Sequence, residues 1–197
     1  MTGLVLSSGR SVPARVARFL AGLPPLTRGY RWRAMLLQRS GFDVDRTARC
    51  VASARFYLPA LHIGRDAFVG HEVRVYGGAG AEVRIGEQVD IAPGVMFLAG
   101  THEIGGRTRR AGAGRGTRIE VGAGTWIGAG SLIIGPATIG RGCVIGAGAV
   151  VRVNVPDHTI YMSEGDVRPV VDDAPRDTDR DMAAGMPDDS AEETVLV

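Results

Sequence analysis

The stretch VGAGTW IGAGSL IIGPAT IGRGCV IGAGAV VRVNVP, residues 121–156, decides the fold. Read in sixes, it sets Val or Ile at 121, 127, 133, 139, 145 and 151, usually with Gly next and with Gly, Pro or Asn three places later. Four places after each aliphatic stands a small or medium-sized residue without charge: Thr125, Ser131, Ala137, Cys143, Ala149 and Val155. One large and one small inward position, separated by a glycine-bearing corner, describe a flat strand that turns and starts again. β-Branched side chains suit such strands, a narrow corner holds only small ones, and Gly adopts backbone conformations that a Cβ forbids. Coils of this kind hydrogen-bond to the coils above and below, so the chain stacks in one dimension. A helix is excluded, because the period is six rather than 3.6 and each helical Gly costs about 1 kcal/mol relative to Ala.

Upstream the same rhythm starts after Phe42, through Val44, Cys50 and Phe56, then Ile63, Val69 and Val75, then Ile85, Ile91 and Phe97. The steps from Phe56 to Ile63 and from Val75 to Ile85 are not multiples of six, which places irregular corners near Pro59 and in the run from Gly77 to Gly80. Between Phe97 and Val121 the phase breaks. The excess, EIGGRTRRAGAGRGTRIE, is polar and rich in Gly and Arg and cannot fill a coil interior. It predicts a loop over 103–118 projecting from a corner, and loops on rigid scaffolds are where chemistry tends to sit. After Val151 the register fades towards Tyr161, read as the last strand and the exit.

Composition bounds the rest. The chain has 197 residues, 29 of them Gly, and 6% aromatic side chains, which suits one tightly coiled β domain of 42–161 with appendages at 1–41 and 162–197. Its net charge of +2 hides an uneven distribution: seven Arg and no acid before Asp43, and nine acids against two Arg from Asp172 onward. Bulk charge is therefore uninformative about a nucleic-acid partner, and none is expected. Every basic residue is Arg. Val12, Val16, Phe19, Leu20 and Leu23 share one face at helical spacing, with Arg15 and Arg18 outside it, until Pro24 and Pro25 stop the helix. A second helix is expected from Thr27 to Gln38, with Tyr30, Ala34 and Leu37 along one side. These helices would cover the unpaired edge of the first coil; contact of their basic face with a membrane surface or a partner protein is the alternative. The acidic tail is expected to be disordered. Cys50 and Cys143 occupy inward positions, where a thiol is a small hydrophobe, so no disulfide is expected and a reducing cytoplasm is compatible. No apolar run approaches the ~20 residues of a membrane span, and the opening MTGLVLSSGR lacks the pattern of a secretory signal.

The hexads, the Thr101-His102 pair, the excursion after it and the return through Ile119-Glu-Val-Gly-Ala-Gly-Thr-Trp126-Ile-Gly128 resemble the hexapeptide-repeat acyltransferases, particularly the maltose, galactoside and nodulation-factor O-acetyltransferase branch, over roughly residues 42–161. That resemblance implies an all-β fold, a left-handed parallel β-helix with three hexads per coil, a homotrimer, and acetyl-CoA as acyl donor to a small hydroxylated acceptor.

Several residues then become candidates. His102 closes the last regular hexad and opens the excursion, so it stands at the surface; acyl transfer to an alcohol needs a base near neutrality, and imidazole suits the task. In the family the His at this position is that base, and a backbone N–H just after Trp-Ile-Gly, here on Ala129, faces the thioester oxygen. Trp126 points outward by register, ready to pack on a sugar ring or on the pantetheine arm. Ala147 keeps the corner expected to touch CoA. Arg152 stands where the family has a Thr-Lys pair, and Arg168 is positioned to meet a CoA phosphate, with the acids Glu164 and Asp166 beside it. Asp90, outward by register, and Tyr76, beside the Gly-rich corner, are acceptor contacts. Arg107, Arg109, Arg110 and Arg115 either recognise an acidic acceptor or keep the loop soluble. His62, His71 and His158 share no hexad face with His102, so no metal is expected. Another acyl donor, an amine acceptor, or a non-catalytic trimeric scaffold remain alternatives.

Overall fold

The computed structural model describes residues 29–163 and 166–169, together with 4–5, 11–12, 16–17 and 20. Strands β1 (Leu4–Val5) and β2 (Ser11–Val12) pair antiparallel, so Val12 lies in a strand rather than in the first helix. Residues 16, 17 and 20 are helical; Leu20 packs partly buried against the core as expected, whereas Val16 is exposed and Ala17 takes the buried place beside it. Phe19, Leu23, Pro24 and Pro25 lie outside the described residues. Helix α1 (Tyr30–Arg39) packs Ala34, Leu36 and Leu37 against the first two strands of the coil, β3 (Asp43–Val44) and β4 (Arg49–Cys50). Arg33 is buried with them, its guanidinium over the Tyr30 ring at 5.9 Å; burial lowers its pKa, against the pull of Tyr30 and Cys50.

The body is a three-sided coil. Strands β3, β6 (Ala60–Ile63), β9 (Glu82–Ile85), β14 (Arg118–Val121) and β17 (Ala137–Ile139) form sheet one, all parallel. Sheet two holds β4, β7 (Phe68–Val69), β10 (Asp90–Ile91), β15 (Trp126–Ile127), β18 (Val144–Ile145) and β20 (Thr159–Ser163), with β21 (Asp166–Pro169) antiparallel at its edge. Sheet three holds β5 (Arg55–Tyr57), β8 (Arg74–Tyr76), β11 (Met96–Leu98), β16 (Leu132–Ile134) and β19 (Val150–Val151). The chain visits sheets one, two and three in turn and repeats. Val121 pairs with Ile139, Ile127 with Ile145 and Ile133 with Val151, which is one full coil for every three hexads. The twelve inward hexad residues from Val121 to Val155 are all buried.

Polar members of that set satisfy the corners. Thr125 Oγ1 donates to the Gly140 carbonyl at 2.8 Å and accepts from the Cys143 N–H at 3.1 Å, and Ser131 Oγ lies 2.7 Å from the Gly128 oxygen and 2.8 Å from that of Gly146. The residue three places after an inward aliphatic turns the corner with positive φ: Gly94, Gly124, Gly130, Gly142 and Gly148 lie between 59° and 73°. Asp66, Glu72, Gln88 and His158 adopt the same conformation, at a strain cost that Gly avoids.

Two departures from the regular coil matter. Gly77 to Gly80 form an enlarged corner between sheets three and one. At the same corner, one coil on, the segment read as a loop is an antiparallel ribbon, β12 (Gly100–Ile104) with β13 (Ala111–Gly116). Its base is held by the enlarged corner, where the Gly116 N–H donates to the Ala79 carbonyl at 3.1 Å, and the Thr117 N–H closes the coil on the Ala99 carbonyl at 2.9 Å. At the other end, β21 folds back antiparallel on β20. The acidic tail falls outside the described residues.

Candidate functional site

His102 sits on β12, two residue pairs above the ribbon's base. In an antiparallel ribbon, directly opposed residues share a face, and here His102 opposes Gly114 while Gly100 opposes Gly116. The imidazole therefore stands on a floor without side chains; Gly114 is close enough that a Cβ there would touch the ring at 3.6 Å. Thr101 and Arg115 oppose one another and face the other way. The His102 Nδ1 lies 2.9 Å from the Gly112 carbonyl oxygen, which only accepts, so Nδ1 carries a proton and Nε2 of the neutral ring is left with its lone pair outward. An exposed imidazole held in that tautomer can take a proton.

Tyr76 lies at the same corner. It ends β8, and its ring stacks on Tyr57 of β5, centroids 5.3 Å apart and 9° from parallel, both rings partly open to solvent. Arg152, exposed after β19, emerges at this corner two coils below the ribbon.

The remaining candidates collect on a different side. On the outer face of sheet two, pairing stacks Arg49, Phe68, Asp90, Trp126, Val144 and Ile160 in one row, and Arg168 of β21 opposes Ile160. Trp126 is 55% exposed, its indole open to solvent among the described residues. Asp90 is flanked in the row by Phe68 and Trp126; burial raises its carboxyl pKa, and nearby Arg49 pulls it back. Ala129 and Ala147 turn the corner from sheet two to sheet three in successive coils, where the Gly148 N–H donates to the Ala129 carbonyl at 2.8 Å. Gly128 and Gly130 N–H groups are both engaged, by Ile145 at 2.7 Å and Pro93 at 3.0 Å, whereas the exposed Ala129 N–H has no partner among the described residues. It is available to an oxygen with developing charge.

One chain therefore carries two half-sites on two corners. Tyr76, His102 and Arg152 lie at the corner from sheet three to sheet one; Asp90, Trp126, Ala129, Ala147 and Arg168 lie along sheet two and its corner with sheet three. Strand β16 spans the whole side between Ala129 and the corner that bears the ribbon, a separation of about 15–20 Å at ~3.3 Å per residue. The structure does not bring the predicted base and the predicted N–H donor together within one copy.

The sequence comparisons address the coil and the activity together. Residues 118–152 match the bacterial transferase hexapeptide (six repeats). The galactoside O-acetyltransferase of Lactococcus lactis is 29% identical over 107 residues, covering 54% of this chain and 51% of that protein. The crystal structure of a maltose O-acetyltransferase from Clostridium difficile covers 79% of this chain and 82% of its own, with 25% identity and a TM-score of 0.57. The chain carries the bacterial transferase hexapeptide repeat and is similar to galactoside and maltose O-acetyltransferases. It spans about half the length of the curated relatives it matches. The fold is shared as well with the hexapeptide-repeat-containing acetyltransferase VCA0836 of Vibrio cholerae, solved with acetyl coenzyme A, at 24% identity and a TM-score of 0.63 over 80% of this chain and 84% of that one.

Sequence reasoning located the outward and inward positions but missed two features of the site. The Gly112 carbonyl that orients His102 was invisible, although the alternation Ala-Gly-Ala-Gly over 111–114 is what an extended strand with one bare face looks like. The partner of Tyr76 was missed because the step between Tyr57 and Tyr76 is broken by an irregular corner. Among the described residues no cluster of metal-ligating side chains occurs, and no helix is long and apolar enough to cross a membrane.

Proposed function

We propose that this protein transfers an acetyl group from acetyl-CoA to a hydroxyl of a sugar, glycoside or other natural-product acceptor, with His102 as general base, in a cleft between adjacent copies of a homotrimer whose coils wind left-handedly. The observation that carries this reading is the 2.9 Å contact between His102 Nδ1 and the Gly112 oxygen, which turns a lone-pair nitrogen outward over a glycine floor. His102 Nε2 takes the acceptor hydroxyl proton as that oxygen attacks the thioester carbonyl. The Ala129 N–H donates to the carbonyl oxygen as negative charge develops. The imidazolium then returns the proton to the departing CoA thiolate, so the products are the acetyl ester and free CoA.

The trimer supplies what a single chain lacks, since threefold symmetry can set the His102 corner of one copy against the Ala129 corner of the next. The outer face of sheet three fits an interface: Met96, Leu98, Leu132, Ile134 and Val150 are outward apolar residues on neighbouring strands. Exposed Trp126 and the corner residues Ala129 and Ala147 suit the pantetheine arm, with Arg168 and Arg152 as candidates for the CoA phosphates and Asp90 and Tyr76 for the acceptor. A cytoplasmic location would supply the donor. The domain limits 42–161, with the ribbon projecting from it, follow from the same reading.

A thiol-release assay with acetyl-CoA and hydroxylated sugars tests the proposal. The wild type should release CoA in an acceptor-dependent manner, and His102→Ala should lower kcat by about 10²–10⁴-fold while leaving the assembly intact. Equal rates in the two proteins would remove His102 from the reaction.

A further inference from the structure

The ribbon that carries His102 is also the place where unpaired positive charge gathers. On the coil body the guanidiniums of Arg65, Arg74, Arg84 and Arg141 each sit 2.7–3.3 Å from a carboxylate, and Arg118 pairs with Glu120. On the ribbon Arg107, Arg109, Arg110 and Arg115 are all exposed and make no ion pair among the described residues. The only acid between Gly100 and Gly116 is Glu103. Three of these guanidiniums, on Arg107, Arg109 and Arg110, lie in the short connection between β12 and β13. Several arginines of the coil are matched by carboxylates, whereas the four on the ribbon that bears the proposed base have none among the described residues.

We propose that the ribbon tip recognises an anionic group on the acceptor, a phosphate or a carboxylate, and so selects acidic saccharides or glycosides over neutral ones; this rests on the reading of His102 as the base of an acetyl transfer. Guanidinium is the side chain suited to both groups, because its planar fork donates two parallel hydrogen bonds to either. The span from His102 to Arg107 is about 15 Å along an extended strand. That is longer than one pyranose ring, so the reacting hydroxyl and the charged group belong to an acceptor of at least disaccharide size.

The test uses matched acceptors: trehalose against trehalose 6-phosphate, and maltose against maltobionate, the phosphate and carboxylate arms separating the two sources of charge. The wild type should show kcat/KM about tenfold higher for at least one acid than for its neutral twin. The ratio should fall towards one in Arg107→Ser/Arg109→Ser/Arg110→Ser and on adding salt. No preference in the wild type, or a preference unchanged in the variant, overturns the proposal. A change confined to the KM for acetyl-CoA also overturns it, by assigning the arginines to the donor's phosphates. Should none of the four acceptors be acetylated, calorimetric titration with trehalose 6-phosphate and maltobionate still decides. Binding of either weakened about tenfold by the triple variant supports the arm, and equal or absent binding sinks it. Failure of the acetyl transfer itself would show separately, as thiol release that no acceptor stimulates. Arg109→Glu serves as a second variant should the triple one fail to fold.

Discussion

Replacing Gly128 with Ala tests how closely the coils are stacked next to the proposed N–H donor. A Cβ built at Gly128 would lie 2.6 Å from the Ala147 nitrogen and 2.8 Å from the Ile145 carbonyl oxygen, both backbone atoms of the following coil that cannot rotate aside. Ordinary contact begins near 3.5 Å, so the two coils must separate locally by about 0.8 Å. The Gly128 N–H to Ile145 bond, now 2.7 Å, and the neighbouring bonds of Ser131 Oγ and the Gly148 N–H, each 2.8 Å, all cross that gap. At about 1 kcal/mol net for each such bond, the substitution should cost about 2–3 kcal/mol. Gly124→Ala is the control. Gly124 has φ 69° with nothing within 4 Å of its notional Cβ, so only the left-handed backbone penalty applies, about 1 kcal/mol. For a chain of this size those costs correspond to falls in Tm of roughly 5–10 °C and 2–4 °C. Scanning calorimetry at one fixed protein concentration reads both, because assembly makes Tm concentration-dependent. A Gly128→Ala protein no less stable than Gly124→Ala would refute the reasoning.

Both thiols should be silent. Cys50 is fully buried, which pushes its pKa up to about 12 against the pull of Arg33, and Cys143 is raised by burial too; native protein should resist iodoacetamide at mild alkaline pH and react at both cysteines only when unfolded. The carboxylates should act in opposite senses. Asp157 is held below the usual range chiefly by the Arg141 backbone N–H, so it adds stability above the ordinary aspartate pKa and loses it as pH falls through its lower folded value; Asp157→Asn should flatten the decline of Tm between about pH 5 and 2. Asp90 is raised by burial, so its ionisation costs stability as pH rises past the ordinary value. Asp90→Asn should raise Tm at neutral pH, and an unchanged or lower Tm would contradict the assignment.

The coil was legible in the sequence because its inward positions leave so little choice. A residue at 127, 139 or 145 must fill a three-sided interior, and the one three places on turns a corner with positive φ, so Ile and Gly recur at fixed intervals. The ribbon was read as a loop because 100–116 buries no side chain, and a strand with neither face buried has no hydrophobic alternation to betray it. Strand β2 at Val12 was read as helix for a related reason, since a few apolar residues fit more than one period. The burial of Arg33 over Tyr30 was not legible, because a charged side chain gives no sign in the sequence that it will be covered. The outward placement of His102, Trp126 and Asp90 was legible residue by residue, but their arrangement was not. Hexad register gives the direction of each side chain, whereas the two half-sites meet only if a second copy brings them together.

Subunit mixing is the most direct test of that meeting. His102→Ala removes the base, and Ala129→Pro removes the N–H; Pro93 already occupies the equivalent corner one coil earlier, so proline fits there. Each variant alone should form an inactive assembly. Unfolded together in equal amounts and refolded, they should recover about a quarter of the wild-type rate, because one cleft in four pairs an intact His102 with an intact Ala129 from its neighbour. No recovery in assemblies shown to be mixed would mean that base and N–H donor do not meet between copies.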